Sequence, residues 1–190
     1  MKTCAGVAAP AHVFTASKWL HAALEPVLPL PLPLPLPGVI THSRACARRV
    51  YLARLAGTAN ARALPNEWAL AGFLLEEFGF TIVDGAHDAE FWARLLADAC
   101  LVVAPHGGAL AHLPLLPVTR RADVAVVELD GHDKYALFWS TANALGAHYY
   151  WFGYDKDRGV DIAEFGRFLN ATVLPRQADL RRASCEPASP

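Results

Sequence analysis

The sequence predicts an α/β fold: a doubly wound, mostly parallel sheet of about five strands with helices on both faces. Five short apolar runs alternate along the chain with stretches whose apolar residues recur at helical spacing. Glycines follow two of those helical stretches, at Gly79 and Gly146, as expected where a helix ends before the next strand. Because parallel strands are joined by right-handed crossovers, this alternation gives a three-layer domain.

The predicted elements follow one another without long gaps. Strands are predicted at 49–53, 80–83, 100–104, 124–129 and 148–152. Helices are predicted between 66 and 79, after Asp88, at 134–145 and at 161–174, with a short helix opening near 107. Asp88 is the predicted N-cap of the second helix, because its short acidic side chain can accept a hydrogen bond from the first turn.

The composition restricts the class of protein. Of 190 residues, 54% are hydrophobic, and 17 Lys and Arg stand against 18 Asp and Glu. This balance implies no nucleic-acid partner, and no apolar run reaches the roughly 18–20 residues of a membrane span. Residues 1–62 hold seven basic residues and one acid, which suits a phosphate-bearing ligand or, alternatively, a solvated surface. The four cysteines form no C-x-x-C pair, which argues against a zinc module, and Cys100 is predicted as a small core residue.

The Leu-Pro repeat divides the chain. Residues 25–37 read E-P-V-L-P-L-P-L-P-L-P-L-P, and alternating proline excludes both helix and inner strand, so polyproline II is expected. The repeat would serve as a stiff linker or surface strap, or as a ligand of an SH3-type domain. We therefore predict an N-terminal extension at 1–37, one folded domain at 38–175 and a flexible tail at 176–190.

The segment with the most chemical content is residues 101–112, L-V-V-A-P-H-G-G-A-L-A-H. An apolar strand ends at a proline, and a histidine and two glycines open a short helix. Backbone N–H groups at 107–110 would carry partial positive charge and offer a site for phosphate oxygens. Glycines there allow a ligand to approach the backbone closely, or serve only a tight turn. The pattern is neither G-x-G-x-x-G nor a P-loop.

Charged and polar side chains near strand ends supply the remaining candidates. His106 could donate to a phosphate or sugar hydroxyl, or act as a cap or core residue. Glu128, near the end of the next strand, could accept from both ribose hydroxyls, or pair with an arginine. Arg54 and Arg62 flank the first βα loop and could neutralise a diphosphate. Further candidates are Lys134 and, in what is expected to be a solvated loop, Arg120 and Arg121.

Two other chemistries are excluded or disfavoured. The H-G-G sequence suggests the oxyanion hole of an esterase, but none of the five serines lies in G-x-S-x-G. His106 and His112 match no standard metal spacing, so no metal site is expected. His112 is predicted to pack or to cap the short helix.

Several blocks occur together in a fixed order. They are Arg54 at a strand end, R-x-x-x-N-E at 62–67, Gly79-Phe80, H-G-G-A-L-A-H at 106–112 and V-E-L at 127–129. Over residues 45–153 this set resembles the C-terminal half of glycosyltransferase family 61. In that family the turn runs H-G-A-G-L, where this chain has H-G-G-A-L, and a hydroxyl residue is usual where Ala111 stands.

The resemblance implies a Rossmann-like donor domain of GT-B type. It implies inverting, metal-independent transfer of a sugar (GlcNAc or a pentose) from a UDP-sugar to a glycan or protein hydroxyl, with no cofactor beyond the donor. This chain would be the donor half, in the Golgi or ER lumen if its parent protein is eukaryotic and anchored. Alternatively, it is a truncated or degenerate homologue that binds nucleotide or a partner without catalysis. The general base is not identified. The implied nucleotide-binding residues are Arg54, Arg62, Asn66, Glu67, His106, Gly107, Gly108, Ala109, Leu110 and Glu128.

Overall fold

A computed structural model describes residues 48–54, 64–84, 87–131 and 137–185. Its five strands are β1 (Arg48–Leu52), β2 (Thr81–Val83), β3 (Ala99–Pro105), β4 (Ala125–Asp130) and β5 (His148–Gly153). The α-helices are α1 (Glu67–Phe78), α2 (Ala89–Ala97), α3 (Leu137–Leu145), α4 (Ile162–Phe168) and α5 (Leu174–Cys185). Two 3-10 helices, Gly108–Leu115 and Val118–Asp123, lie between β3 and β4, and a π-helix at Leu169–Val173 joins α4 to α5.

The five strands form one parallel sheet in the order β2-β1-β3-β4-β5. This confirms the predicted α/β fold. The strand order reverses direction between β1 and β3, so the connections that leave these two neighbours run to opposite sides. Such a reversal opens a crevice at the carboxyl ends of the two strands, where ligands bind in open α/β sheets.

Two hydrophobic cores lie on opposite faces of the sheet. One joins alternate residues of β3 and β4, such as Val102 and Val126, to α2, α3 and the first 3-10 helix. The other joins the intervening strand residues, such as Val103 and Val127, to α1, α4 and the π-helix. Both faces of the central strands are buried, so β3 is apolar throughout and β4 is apolar except at Glu128 and Asp130.

The predicted helix ends have the expected local chemistry. Asp88 accepts a 2.8 Å hydrogen bond from the Phe91 N–H at the start of α2. Gly79 follows α1 with φ +65°, the left-handed conformation that glycine adopts most easily. Its N–H and that of Phe80 are bonded to carbonyls of the last turn of α1, which fixes the entry into β2.

The structure differs from the sequence prediction in three places. Residues 174–185, expected largely as tail, continue as helix α5, and Gln177 donates to the Cys100 carbonyl oxygen at the start of β3. Arg121 is not in a solvated loop: it is 3% exposed and donates to the carbonyls of Pro114 and Leu116. Cys100 is buried as predicted, and it is also disulfide-bonded.

Some predictions concern residues that the structure does not describe. The Leu-Pro repeat at 25–37, Arg62 and Lys134 lie outside the described residues, as does the side chain of Arg120. Within the described ranges, no helix combines the length and apolar character needed to cross a membrane.

Candidate functional site

The candidate site lies where the chain leaves β1 and β3, at the carboxyl edge of the sheet. Arg54 comes two residues after β1, and the turn His106-Gly107-Gly108 comes directly after β3. The Arg54 guanidinium donates a hydrogen bond to the His106 carbonyl oxygen. The two sequence-predicted features are therefore in contact, and they meet at the point where the strand order reverses.

The turn after β3 is held at both ends by backbone hydrogen bonds. The His106 N–H donates to the Leu129 carbonyl at 2.7 Å, and the Leu110 N–H donates to the Gly107 carbonyl at 3.0 Å. The second bond is the first of the 3-10 helix. The Leu110 N–H is therefore used within the helix, contrary to the prediction that it is offered to a ligand. The N–H groups of Gly108 and Ala109 precede it and have no intrahelical carbonyl partner. They are the donors that this turn can offer to an anion.

The residues that follow the glycines differ in exposure. Gly108 is exposed, and a Cβ atom built on it meets nothing within 4 Å. Ala109 is half-buried and packs against the core, while Leu110 is fully buried in it. Leu110 therefore anchors the turn, whereas Gly108 faces open space.

Gly107 has two separate reasons to be glycine. Its φ is +152°, in the range that side-chain-bearing residues rarely adopt. A Cβ atom at this position would also collide with the guanidinium of Arg54. The absence of a side chain therefore lets Arg54 lie against the turn.

Glu67, the first residue of α1, fixes the backbone from which Arg54 extends. Its Oε1 atom accepts from the Arg54 N–H at 2.7 Å and from the Tyr51 hydroxyl at 3.0 Å. The carboxylate is buried, 5% exposed. Burial raises the pKa of Glu67 above its usual range, although both hydrogen bonds act in the opposite direction.

Replacing Glu67 with glutamine should change the pH dependence of stability. A carboxyl group whose folded-state pKa lies above its unfolded value makes the protein less stable as pH rises through that interval, because the unfolded state releases its proton first. Glutamine keeps an oxygen acceptor for both donors without the buried charge. The melting temperature of Glu67→Gln relative to wild type should therefore increase from pH 4.5 towards pH 8, as measured by calorimetry. Glu76→Gln, on the exposed face of α1, is the control, and an equal trend in both variants would contradict the prediction.

Asn66 connects the start of α1 to the loop that follows β5. Its side-chain amide donates to the Val160 carbonyl at 2.8 Å and accepts from the Val160 N–H at 2.9 Å. Gly159, at φ +88°, makes room for this contact, since a Cβ there would overlap the Asn66 amide. In the described structure Asn66 and Glu67 thus hold together the loops that surround Arg54.

His106 is part of a chain of three side chains. Its Nδ1 atom is hydrogen-bonded to one oxygen of Glu128, and the hydroxyl of Tyr149 donates to the other oxygen. Glu128 is fully buried, which raises its pKa, while the bonds from Tyr149 and His106 favour its charged form. The His106 ring also packs edge-on against Phe138, with 5.3 Å between ring centroids. The imidazole orientation is therefore fixed from two sides.

This chain of side chains was only partly visible in the sequence. The sequence suggests either the ribose hydroxyls or an arginine as the partner of Glu128, whereas in the structure one of its oxygens is bonded to His106 and the other to Tyr149. Tyr149 was missed because it lies in an aromatic run that reads as a strand. Tyr149 lies opposite Val126 in the register of β4 and β5, on the same face as Glu128 two residues further along β4, and this register leaves no signal in the sequence.

Other titratable side chains are engaged away from the turn. His112 stacks on Trp92, with 4.5 Å between ring centroids and 13° between planes, and burial lowers its pKa. Among the described residues, no group of three or more His, Cys, Asp or Glu side chains is placed to hold a metal ion.

A cavity of about 440 Å³ lies between α1, α4 and the π-helix, next to Arg49 near the start of β1. Its lining includes Arg49, Glu77 and Arg167, and Arg49 donates to the Phe78 carbonyl at 2.7 Å. Ligands of open α/β sheets bind at the carboxyl edge, so this cavity is not the candidate site.

Comparison with known families gives one match. The family described as Glycosyltransferase 61 matches residues 5–122, more than half of the 190 residues. The matched range contains β1 to β3, Arg54, Asn66, Glu67 and the turn at 106–110, and it ends before β4. No individual curated protein matches the chain.

Proposed function

The chain belongs to the glycosyltransferase 61 family, and from this premise we propose that the described domain binds the donor of a sugar transfer. The donor is a UDP-sugar of the GlcNAc or pentose class, and the acceptor is a hydroxyl of a glycan or protein. The transfer is inverting and needs no metal ion. In this proposal the diphosphate lies at the turn after β3.

The contact between Arg54 and the turn is the observation that carries the proposal. It brings a guanidinium against His106 and Gly107, which directly precede the N–H groups of Gly108 and Ala109 in the chain, at the crevice between β1 and β3. Guanidinium groups and backbone N–H groups at a helix start are both donors that bind phosphate oxygens without a metal ion. As the sugar leaves, negative charge grows on the diphosphate, so donors fixed in advance lower the barrier.

His106 would act beside the same diphosphate. With the Nδ1 proton donated to Glu128, Nε2 of the neutral imidazole is a hydrogen-bond acceptor. We assign it to the reacting hydroxyl, whose proton it would accept. Glu128 then acts through His106, as a positioning residue, rather than on the ribose. Asn66, Glu67 and Leu110 would support the site by holding its loops.

The direct test is calorimetric titration of the full chain with UDP in the presence of EDTA. Wild type should bind, and Arg54→Ala should bind roughly 10- to 150-fold more weakly, as expected for loss of a hydrogen bond between charged groups. Arg94→Ala is the matched control, because Arg94 is an exposed arginine of α2 paired with Glu90. A well-folded wild type that binds no UDP would overturn the proposal.

The alternative function is nucleotide binding without catalysis, by a degenerate member of the family. The observation in favour of this alternative is the turn itself, which reads H-G-G-A-L where the family has H-G-A-G-L. A product assay across UDP-sugars and acceptors separates the two functions. Transfer activity would exclude the alternative, whereas UDP binding without any product would favour it.

The disulfide bond of Cys100 bears on where the reaction takes place. Disulfides persist in oxidising compartments such as the ER lumen and are rare in the cytosol. The bond therefore favours an oxidising compartment, which the Golgi or ER lumen would provide if the parent protein is eukaryotic and anchored.

A further inference from the structure

An exposed tryptophan lies at the same edge of the sheet as the candidate site, two strands away from the turn. Trp151 belongs to β5, and its side chain is 50% exposed. In the parallel register it is opposite Glu128, the residue that holds His106. Alternate strand residues share one face, and Tyr149 packs on the core that contains Val126, so Trp151 faces the same side of the sheet as Glu128.

The indole ring leans along β5 towards the carboxyl edge. A Cβ atom built on Gly153 would lie 2.7 Å from Cη2 of Trp151 and 3.2 Å from Cζ2. The ring therefore occupies the space above Gly153, where any other residue would place its side chain. One side of the indole is supported by this backbone, and half of the side chain is left to solvent.

We propose that Trp151 is the stacking platform for the base of the donor nucleotide, an inference that rests on the function proposed above. β3 ends at the turn, β5 carries Trp151, and β4 lies between them in the sheet. Two strand spacings of about 4.8 Å therefore separate β3 from β5. If the diphosphate binds at the turn, the ribose lies over the end of β4 and the base reaches β5. The sugar, attached directly to the diphosphate, stays near the turn.

Stacking on a base requires a flat aromatic face and no charge, which the indole of Trp151 provides. Every base presents a flat aromatic face, and an aromatic side chain that receives it contributes affinity without selecting among bases. Trp151 would therefore increase affinity for nucleotides in general, while the diphosphate contacts at Arg54 and the turn remain unchanged. Removing the indole should weaken only ligands that carry a base.

The test compares UDP with inorganic pyrophosphate, each titrated into the full chain by calorimetry. Trp151→Ala should bind UDP roughly 5- to 150-fold more weakly than wild type, the range for loss of one base stack, and should bind pyrophosphate with wild-type affinity. Trp151→Phe should keep most of the UDP affinity. Gly153→Ala should weaken UDP binding alone, because its Cβ displaces the indole. Trp68→Ala is the matched control, since Trp68 is an exposed tryptophan of α1.

The outcomes are distinguishable. Unchanged UDP affinity in Trp151→Ala, with wild type binding UDP, would overturn the platform and leave the proposed function standing. Equal losses for UDP and pyrophosphate at an unchanged melting temperature would also overturn it, because the residue would then act at the diphosphate. If wild type binds neither ligand, the proposed function itself fails, and the platform fails with it.

Discussion

Replacing Gly107 with alanine is expected to reduce UDP affinity about as much as the loss of Arg54 itself, roughly 10- to 150-fold, while lowering the melting temperature by only a few degrees. The added Cβ collides with the end of the Arg54 side chain, which is flexible and can move away at little cost in stability. Moving it, however, removes the guanidinium from the turn where the diphosphate is proposed to bind. The stability loss comes from φ +152°, and strain of this kind costs about 1–3 kcal/mol.

Gly108 provides the matched control for this variant. It is the next residue in the same turn, and its Cβ position is open. Gly108→Ala should keep the wild-type melting temperature, and the bulkier Gly108→Val should lose UDP affinity more than stability, because the side chain obstructs only an approaching ligand. Calorimetric titration and thermal unfolding of all three variants measure both quantities.

A double variant separates the two effects at Gly107. Adding Arg54→Ala to Gly107→Ala removes the collision but leaves the backbone strain. UDP affinity of the double variant should therefore equal that of Arg54→Ala alone, a non-additive result typical of residues in contact. Fully additive losses would show that Gly107 acts on the ligand independently of Arg54.

The fold was largely predictable because its signals are local. Each buried strand reads as an apolar run, and residues such as Asp88 and Gly79 mark where helices begin and end. The strand order was not predicted, since apolar runs of similar composition do not specify their neighbours. The order β2-β1-β3-β4-β5 is what brings Arg54 beside the turn after β3.

The sequence predicted which strand-end residues form the candidate site. It did not predict the hydrogen-bond partners of these residues. Glu128 and Tyr149 are adjacent because β4 and β5 pair in one register, and no local pattern fixes that register. Arg121 was expected in solvent because an isolated arginine in a loop is normally exposed. Here carbonyls at the end of the first 3-10 helix need a donor, and the buried guanidinium supplies it.

Replacing Glu128 with glutamine is expected to lower the transfer rate at least about 100-fold with a smaller effect on UDP affinity. Glutamate accepts from both His106 and Tyr149, whereas glutamine has one acceptor oxygen and one donor nitrogen. If the amide nitrogen faces His106, Nδ1 must become the acceptor and the ring proton moves to Nε2. A wrong histidine tautomer costs up to about 10⁴-fold in rate where a carboxylate orients a catalytic histidine.

Tyr149→Phe is the variant that distinguishes orientation of His106 from general packing. It removes the second donor to Glu128 but leaves the carboxylate on His106 in place. Its transfer rate should stay within about 10-fold of wild type, because one hydrogen bond to a charged group contributes about 1.5 kcal/mol at the low end. Both variants keep the buried volume, so thermal unfolding should report folded protein in each. If Glu128→Gln transfers sugar as fast as Tyr149→Phe, the carboxylate does not act through the imidazole, and His106 would then have to contribute to the site independently of its tautomer.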